Sequence, residues 1–352
     1  MSYTLNRKLA DLKAYDPIQG EYRIRMDANE SFIDINPQLS KKITDAVSGV
    51  ALNRYPDPYA AGPIQAFSDL YTVPPQYVTA GNGSDELISV ITGCFLEKGD
   101  KILTLSPDFS MYAFYGSLFE LEVQTFEKST DLSIDVDCVI EVCNRENVKA
   151  LIFSNPCNPT SLGLTRKEVI RLISSVSCLV ILDEAYMDFW SESLLDRIAE
   201  FDHLIILKTC SKAMGLAALR LGFAVAGETI TNALKAAKSP YNTDSISQAV
   251  GACILREKEL LAQNRKRIIE SRDELYRGIS LSASKYPALE AVFEPKTNFV
   301  LIQTAYANEI YRKLLQNSIA VRCLGNYLRI TAGSTQENQE FLLKLETVLQ
   351  TF

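Results

Sequence analysis

The sequence predicts an α/β fold, with a large domain built on a mainly parallel sheet flanked by helices and a smaller α+β domain after it. Three observations carry this expectation. The runs "KILTL", "ALIF", "LVIL" and "LIIL" are apolar at almost every position, as strands buried on both faces are. Helix-periodic stretches alternate with these runs. After about Tyr241 the chain changes to a long, charged, helix-periodic stretch followed by three short strand candidates.

Taken in order, the first strand is expected from Lys101 to Leu105, ended by the proline of "SPDF". Others follow at Ala150 to Phe153, Leu179 to Leu182, Leu204 to Leu207 and Leu221 to Ala226. "SDELISVITGCFL" and "TRKEVIRLISSV" have helical spacing between them. "DSISQAVGACILREKELLAQNRKRIIESRDELYRGI" is too long for one straight compact helix, so a bend and a link between domains are expected there. "TNFVLIQT", "IAVRCLG" and "NYLRITAG" are the late strand candidates, and "ENQEFLLKLETVLQTF" is an amphipathic terminal helix. The sequence has no internal repeat and no low-complexity segment.

Composition narrows the function. The chain has 352 residues, 47% hydrophobic and 22% charged, ordinary for a soluble globular protein with a sizeable core. Its net charge of -7, with no basic block, argues against nucleic acid or an anionic membrane as partner. None of the eight cysteines forms a CxxC pair, and most sit in apolar runs, so reduced thiols in a cytoplasmic protein are expected. "MSYTLNRKLADLKAY" lacks an apolar signal-peptide region, and no run approaches the ~20 apolar residues of a membrane span. The single histidine, His203, excludes a multi-histidine metal site, and no metal is expected. At the start of a strand it is a structural or surface histidine.

Chemistry gathers where the strands end, as ligands do in open α/β sheets. "GNGSDE" offers Gly83, Ser84 and Asp85 at the start of a helix. Ser84 or Asp85 is expected to cap it. The motif is either a plain turn and cap or a helix N-terminus that binds phosphate. Asp183 follows "LVIL" directly, where a desolvated carboxylate needs a cationic partner, either a structural arginine or a protonated ring nitrogen. Lys212 and Arg220 stand eight positions apart in "KTCSKAMGLAALRLGF", a stretch otherwise apolar enough to be interior. Desolvation makes a lysine amine a nucleophile for carbonyls, and an arginine suits phosphate. Together these are the parts of a pyridoxal 5'-phosphate site: a Schiff-base lysine, an aspartate on the ring nitrogen, and a helix N-terminus with an arginine for the phosphate.

At these residues the chain resembles the fold-type I aminotransferases, and among them most of all the histidinol-phosphate aminotransferases. The likeness runs in order through "MDANES", "LNRYPDP", "GNGSDE", "SPDFSMY", "SNPCNPT", "DEAYMDF", "KTCSKAMGLAALRLGF", "TNFVL" and "LRITAG". It implies an aspartate aminotransferase-like fold, with a cofactor-binding domain over residues 30–245 and a small domain from 1–29 and 246–352. By position, the Schiff-base lysine falls on Lys212 and the ring-nitrogen partner on Asp183. Tyr186 and Asn158 fall on the contacts to the cofactor's phenolic oxygen. Gly83, Ser84, Asp85, Thr209, Ser211 and Arg220 fall on the phosphate side. Phe109 takes the stacking position. Tyr55 falls on a residue that reaches the neighbouring subunit's cofactor, which implies a homodimer with shared sites. Substrate contacts are implied for Arg329, Arg322, Asn29 and Tyr15, with Asn29 on a segment that closes over the site.

Phe109 stands where these enzymes usually carry a tyrosine, and Cys157 and Ser161 alter the usual "NNPTG" turn. The implied reaction is transfer of an amino group to 2-oxoglutarate from an amino substrate such as L-histidinol phosphate. The same motif order also suits a decarboxylase of a phosphorylated amino acid, or an aminotransferase for an aromatic amino acid. Arg322 fits either a second anionic group on the substrate or a place at the surface. A non-enzymatic regulator on this fold is disfavoured by the absence of a basic face.

Overall fold

The computed structural model describes residues 3–10, 12 and 18–352. Seven strands make the large sheet: β1 (Val78–Asn82), β2 (Lys101–Ser106), β3 (Glu122–Glu127), β4 (Ala150–Ser154), β5 (Leu179–Asp183), β6 (Leu204–Thr209) and β7 (Leu221–Ala226). Their spatial order is β1-β7-β6-β5-β4-β2-β3. β7 is antiparallel to both neighbours, and every other pairing is parallel. Successive side chains alternate between faces, so each continuous apolar run supplies two cores. Leu103, Leu151, Phe153, Val180, Leu182 and Ile206 enter one. Ile102, Ile152, Ile181, Ile205 and Leu207 enter the other. Burying one such side chain stabilises the fold by about 1.5–3 kcal/mol.

Two strands of this sheet lie outside the sequence expectation, and both are its edges. β3 ("EVQTFE") has only two apolar residues, Val123 and Phe126, and Thr79, Gly81 and Asn82 interrupt the run in β1. The helix after β1 is Gly83–Cys94, so neither Ser84 nor Asp85 caps it. Asn82 is the N-cap residue and makes no side-chain cap bond, and its backbone N–H donates to Glu86 Oε2 at 2.6 Å instead. The second expected helix is Arg166–Ser174, closed at its start by a capping box between Thr165 and Glu168.

The long helical stretch breaks into Ser245–Leu255 and Lys258–Lys285. Val250, Ile254, Leu255 and Leu261 pack into the large sheet's core, whereas Leu275 and Ile279 pack into a separate core further on. The second helix thus runs from one core to the other. A four-stranded antiparallel sheet, β8 (Ala291–Phe293), β9 (Phe299–Gln303), β10 (Arg322–Leu324) and β11 (Tyr327–Thr331), has the order β10-β11-β9-β8. "IAVRCLG" gives two strands rather than one. Ile319–Ala320 pairs in parallel with Ile24–Arg25, and Arg322–Leu324 pairs with β11. Ile24 and Met26 are buried in this second core beside Ile330 and Phe341.

Ser161 shows how the altered turn is accommodated. It holds the left-handed backbone, φ 64°, that glycine adopts more cheaply. Its Oγ lies 2.6 Å from Thr297 Oγ1, and Lys296 N donates to its carbonyl oxygen at 3.0 Å. The hydroxyl therefore ties the turn after β4 to the segment leading into β9.

The interior cation of the Lys212 stretch is neither of the two that the sequence singles out. Lys212 is half-buried and Arg220 is exposed. Lys208, on β6, is buried and pairs with Asp188 at 2.9 Å, and the side chains are 2% and 7% exposed. Tyr71 donates its hydroxyl to Asp188 at 2.6 Å, and its ring lies 4.9 Å from Lys208 Nζ. All eight cysteines are free. Among the described residues no helix is long and apolar enough to cross a membrane, and no acidic, histidine or cysteine cluster could hold a metal ion.

Removing one partner of this pair strands a buried charge, which costs about 3–5 kcal/mol. Lys208→Met alone should lower urea-unfolding stability by about that amount. Lys208→Met combined with Asp188→Asn should recover most of it. A single variant as stable as the parent would show that the pair is not buried as described.

Candidate active site

The ends of β1 and β6 and the start of β7 meet. Gly222 is paired with Gly81 of β1 on one side and Thr209 of β6 on the other. A Cβ at Gly222 would lie 2.4 Å from Ser84 N, and one at Gly83 would lie 2.8 Å from Arg220 Nη2. Gly222 is therefore required by close approach to backbone, and Gly83 by its left-handed φ of 80°, and this sets the first turn of the Gly83–Cys94 helix against the strand. Thr209 Oγ1 donates to Ser211 Oγ at 3.1 Å, and Ser211 N donates to Thr209 Oγ1 at 3.2 Å. Arg220, itself left-handed at φ 47°, reaches Ser211 Oγ and Asp85 Oδ2, each at 3.5 Å. A helix N-terminus, two hydroxyls and a guanidinium thus converge, as a phosphate dianion requires.

Lys212 lies just beyond β6. Its Nζ donates to Ala28 O at 3.2 Å and stands 5.8 Å from the centre of the Tyr186 ring. Asn29 Nδ2 donates to the Tyr186 hydroxyl at 2.8 Å, and Asn298 Nδ2 donates to Asn29 O at 3.1 Å. Thr331 Oγ1 donates to Asn29 Oδ1 at 3.1 Å. The N-terminal segment is therefore fixed both to Tyr186 and to the small sheet.

Asp183 ends β5 and is 4% exposed. Its Oδ2 accepts from the Tyr112 hydroxyl at 2.8 Å and its Oδ1 from Ala185 N at 3.0 Å. Burial pushes its carboxyl up to about 6, against the pull of those two bonds. Burial, and then the Asp183 charge, hold the Tyr112 hydroxyl well above its ordinary value, so it remains a donor. Tyr112, which holds Asp183, is a site contact that sequence reasoning missed. The available signal is its place one helical turn after Phe109, whose ring meets it edge-on at 5.5 Å.

Asn158 Oδ1 accepts from Arg329 Nη1 at 2.5 Å, and Arg329 Nη2 donates to Asp27 O at 2.6 Å. Arg329 also lies 5.3 Å from the Phe299 ring. Arg322 is the residue paired with Arg329 on the adjacent strand. Tyr55 stands apart, 81% exposed, with its ring stacked on Tyr241 at 4.6 Å. Tyr15 lies outside the described residues. The structure thus joins Lys212, Tyr186 and Asn29 in one contact chain, Arg220, Ser211, Thr209 and Asp85 in a second, and Asn158 with Arg329 in a third.

Residues 23–345 match the family model for aminotransferase class I and II. The histidinol-phosphate aminotransferase of Clostridium novyi is 39% identical over 341 residues, covering 96% of this chain and 94% of its own. That of a Thermoanaerobacter species is 35% identical over 98% of both chains. Among solved structures, histidinol-phosphate aminotransferase from Sinorhizobium meliloti, in complex with pyridoxal-5'-phosphate, shares the fold. Its TM-score is 0.88 at 22% identity, over 99% of this chain and 98% of that one. L-threonine-O-3-phosphate decarboxylase from Porphyromonas gingivalis shares it at a TM-score of 0.75 and 21% identity, over 93% and 99%. With its strand-end residues so arranged and its whole length so matched, the chain belongs to the aminotransferase class I and II family.

Proposed function

We propose that this protein is a pyridoxal 5'-phosphate-dependent aminotransferase that moves an amino group from a phosphorylated amino substrate such as L-histidinol phosphate to 2-oxoglutarate. One observation carries the reading. Lys212, a buried carboxylate held by neutral donors, and a glycine-lined cradle of phosphate donors stand on the adjacent ends of β5, β6 and β7. Those residues fit the cofactor's aldehyde, ring nitrogen and phosphate in turn. When bound, the cofactor supplies a carbonyl for the substrate's amine and a ring that accepts the electron pair left by the Cα proton.

Each residue then has a task. Lys212 Nζ anchors the aldehyde carbon. As a free amine it would carry a proton between the substrate's Cα and the cofactor's former aldehyde carbon, on the other side of the substrate nitrogen. Asp183 holds a proton on the ring nitrogen. Tyr186 and Asn158 bind the phenolic oxygen, and Phe109 stacks on the ring. Thr209, Ser211, Arg220, Ser84 and the Asp85 backbone bind the phosphate across Gly83. Arg329 meets the carboxylate of 2-oxoglutarate, and Arg322 on the neighbouring strand supplies a second cation for an anionic substrate. Exposed Tyr55, beside exposed Leu52 and Tyr59, supports a homodimer in which Tyr55 completes the partner's site. The free cysteines suit a cytoplasmic enzyme. Residues 30–245 form the cofactor-binding domain, and 1–29 with 246–352 form the small domain.

Protein loaded with pyridoxal 5'-phosphate should show a visible band that borohydride fixes to Lys212, located by peptide mapping. Lys212→Ala should lose both the band and the labelled peptide. Glutamate should appear from L-histidinol phosphate and 2-oxoglutarate, with at least about a thousandfold less from Lys212→Ala. A band without glutamate, but with carbon dioxide released from a phosphorylated amino acid, would replace this reading with the decarboxylase one.

Asp183 gives the cofactor-free protein a defined pH response. Its folded value of about 6 lies above its ordinary 3.8. Its stabilising contribution is therefore complete below about pH 4 and is lost as pH rises through about 6. The stability difference between parent and Asp183→Asn should fall by roughly 2 kcal/mol between about pH 4.5 and 7.5 in urea unfolding without cofactor. A difference that stays level across that range would refute the assignment of a raised carboxyl.

A further inference from the structure

Asn158 and Phe109 lie on different segments, one after β4 and the other after β2, yet their backbone nitrogens run to the same buried group. Phe109 N donates to Asp108 Oδ1 at 2.7 Å. Asn158 N donates to Ser154 Oγ at 3.1 Å, and Ser154 Oγ in turn donates to Asp108 Oδ1 in a short hydrogen bond. Ser154 N donates to Asp108 Oδ2 at 3.2 Å, so one carboxylate fixes the end of β4 twice. Opposite it stands Lys128, 4.0 Å from Asp108 Oδ2, with both side chains only 1% exposed. Lys128 Nζ also donates to Pro107 O at 2.7 Å and to Cys157 Sγ at 3.0 Å.

The proposed reaction uses none of Asp108, Ser154 and Lys128. Burying an ion pair is a poor route to stability, because apolar side chains of equal volume fill such a space as well or better. The pair does supply direction. A charged carboxylate accepts three hydrogen bonds at set angles, and those bonds end on the two segments that carry Phe109 and Asn158. The chain of contacts continues outward, since Asn158 Oδ1 accepts from Arg329. It therefore runs from Lys128 through Asp108, Ser154 and Asn158 to the arginine assigned to the substrate.

We propose that Asp108, paired with Lys128, and Ser154 are positioning residues that hold the Asn158 amide and the Phe109 ring in register around the bound cofactor. The inference rests on the reading that Asn158 and Phe109 touch pyridoxal 5'-phosphate, and deepens it. Burial pushes the Asp108 carboxyl up, and the Lys128 charge and the Ser154 and Phe109 bonds pull against it. For Lys128, burial acts to lower the ammonium, and the neighbouring Cys157 and Asp108 act against it and leave it raised.

The test is a double-mutant cycle on Ser154→Ala and Asn158→Ala. Its readings are the Kd for pyridoxal 5'-phosphate titrated into the cofactor-free protein, the visible circular dichroism of the holoenzyme, and the melting temperature without cofactor. Ser154→Ala should weaken cofactor binding about tenfold and reduce the visible dichroism, and Ser154→Thr, which keeps the hydroxyl, should restore both. The double variant should bind within about twofold of Asn158→Ala, because Ser154 acts through Asn158. Effects that multiply would overturn the inference. So would a Ser154→Ala protein with a lower melting temperature but the parent's Kd and dichroism. If Ser154→Ala does not fold, Asp108→Asn carries the same readings with the same expected direction. A parent protein whose cofactor is not linked to Lys212 would overturn the functional reading and this inference together. A parent that is so linked, beside unmoved variants, would overturn the inference alone.

Discussion

The site depends on a contact between two backbones. Because Gly222 has no side chain, β7 can lie against the first turn of the helix after β1, where a Cβ would meet Ser84 N at 2.4 Å. The one reversal in the sheet makes that contact possible. β7 runs antiparallel to β6 and to β1, so its start meets the ends of both. Had β7 run parallel, Arg220 would emerge at the far edge of the sheet, away from Thr209 and Ser211. The reversal thus gathers a helix N-terminus, two hydroxyls and a guanidinium from three places in the chain, without a long loop.

The interior charges divide by how they are answered. Lys208 with Asp188, and Lys128 with Asp108, are paired within the protein. Asp183 is answered by the Tyr112 hydroxyl and the Ala185 amide, both neutral donors. A paired charge has its partner already and serves geometry. A desolvated carboxylate with neutral donors is poised to gain most from a cationic ligand group, since pairing relieves the penalty that raises its pKa. Tyr112 keeps the carboxylate oriented toward such a group and cannot itself neutralise it.

Much of this was legible in the sequence, for physical reasons that also mark where legibility ends. β2, β4, β5, β6 and β7 are covered on both faces and flanked by other strands, so their runs are apolar throughout and stand out. The two unread strands of the large sheet, β1 and β3, are its edges, where residues such as Asn82 and Glu122 are tolerated. Lys212, Asp183 and Arg220 were legible because a charge next to an apolar run is conspicuous. Lys208 was overlooked, although it is the most buried of that stretch's cations, because its partner Asp188 lies twenty positions earlier and only the fold brings them together. Tyr112, Asp108 and Ser154 share that limit. Their roles are contacts across the sheet, and no spacing along the chain announces them.

The junction between the two sheets is held by residues that pay a backbone penalty for a polar tie. Asn29 and Ser161 both sit at left-handed φ, 55° and 64°, where a residue with a side chain is disfavoured by roughly 1–2 kcal/mol. Asn29 bonds Thr331 and Asn298, and Ser161 bonds Thr297 and the Lys296 amide, so each reaches into or next to the small sheet. Each also borders the site: Asn29 through Tyr186, and Ser161 through the turn that carries Asn158. Arg329 lies two residues before Thr331 on β11. A shift of the small sheet therefore reaches Tyr186 through Thr331 and Asn29, and Asn158 through Arg329. Glycine at either position would relieve the backbone but delete the side-chain bonds, those of Asn29 to Tyr186 and Thr331 and that of Ser161 to Thr297. Through these bonds the arginine proposed to meet the substrate is connected to both proposed phenolic-oxygen contacts, to Asn158 directly and to Tyr186 through Thr331 and Asn29.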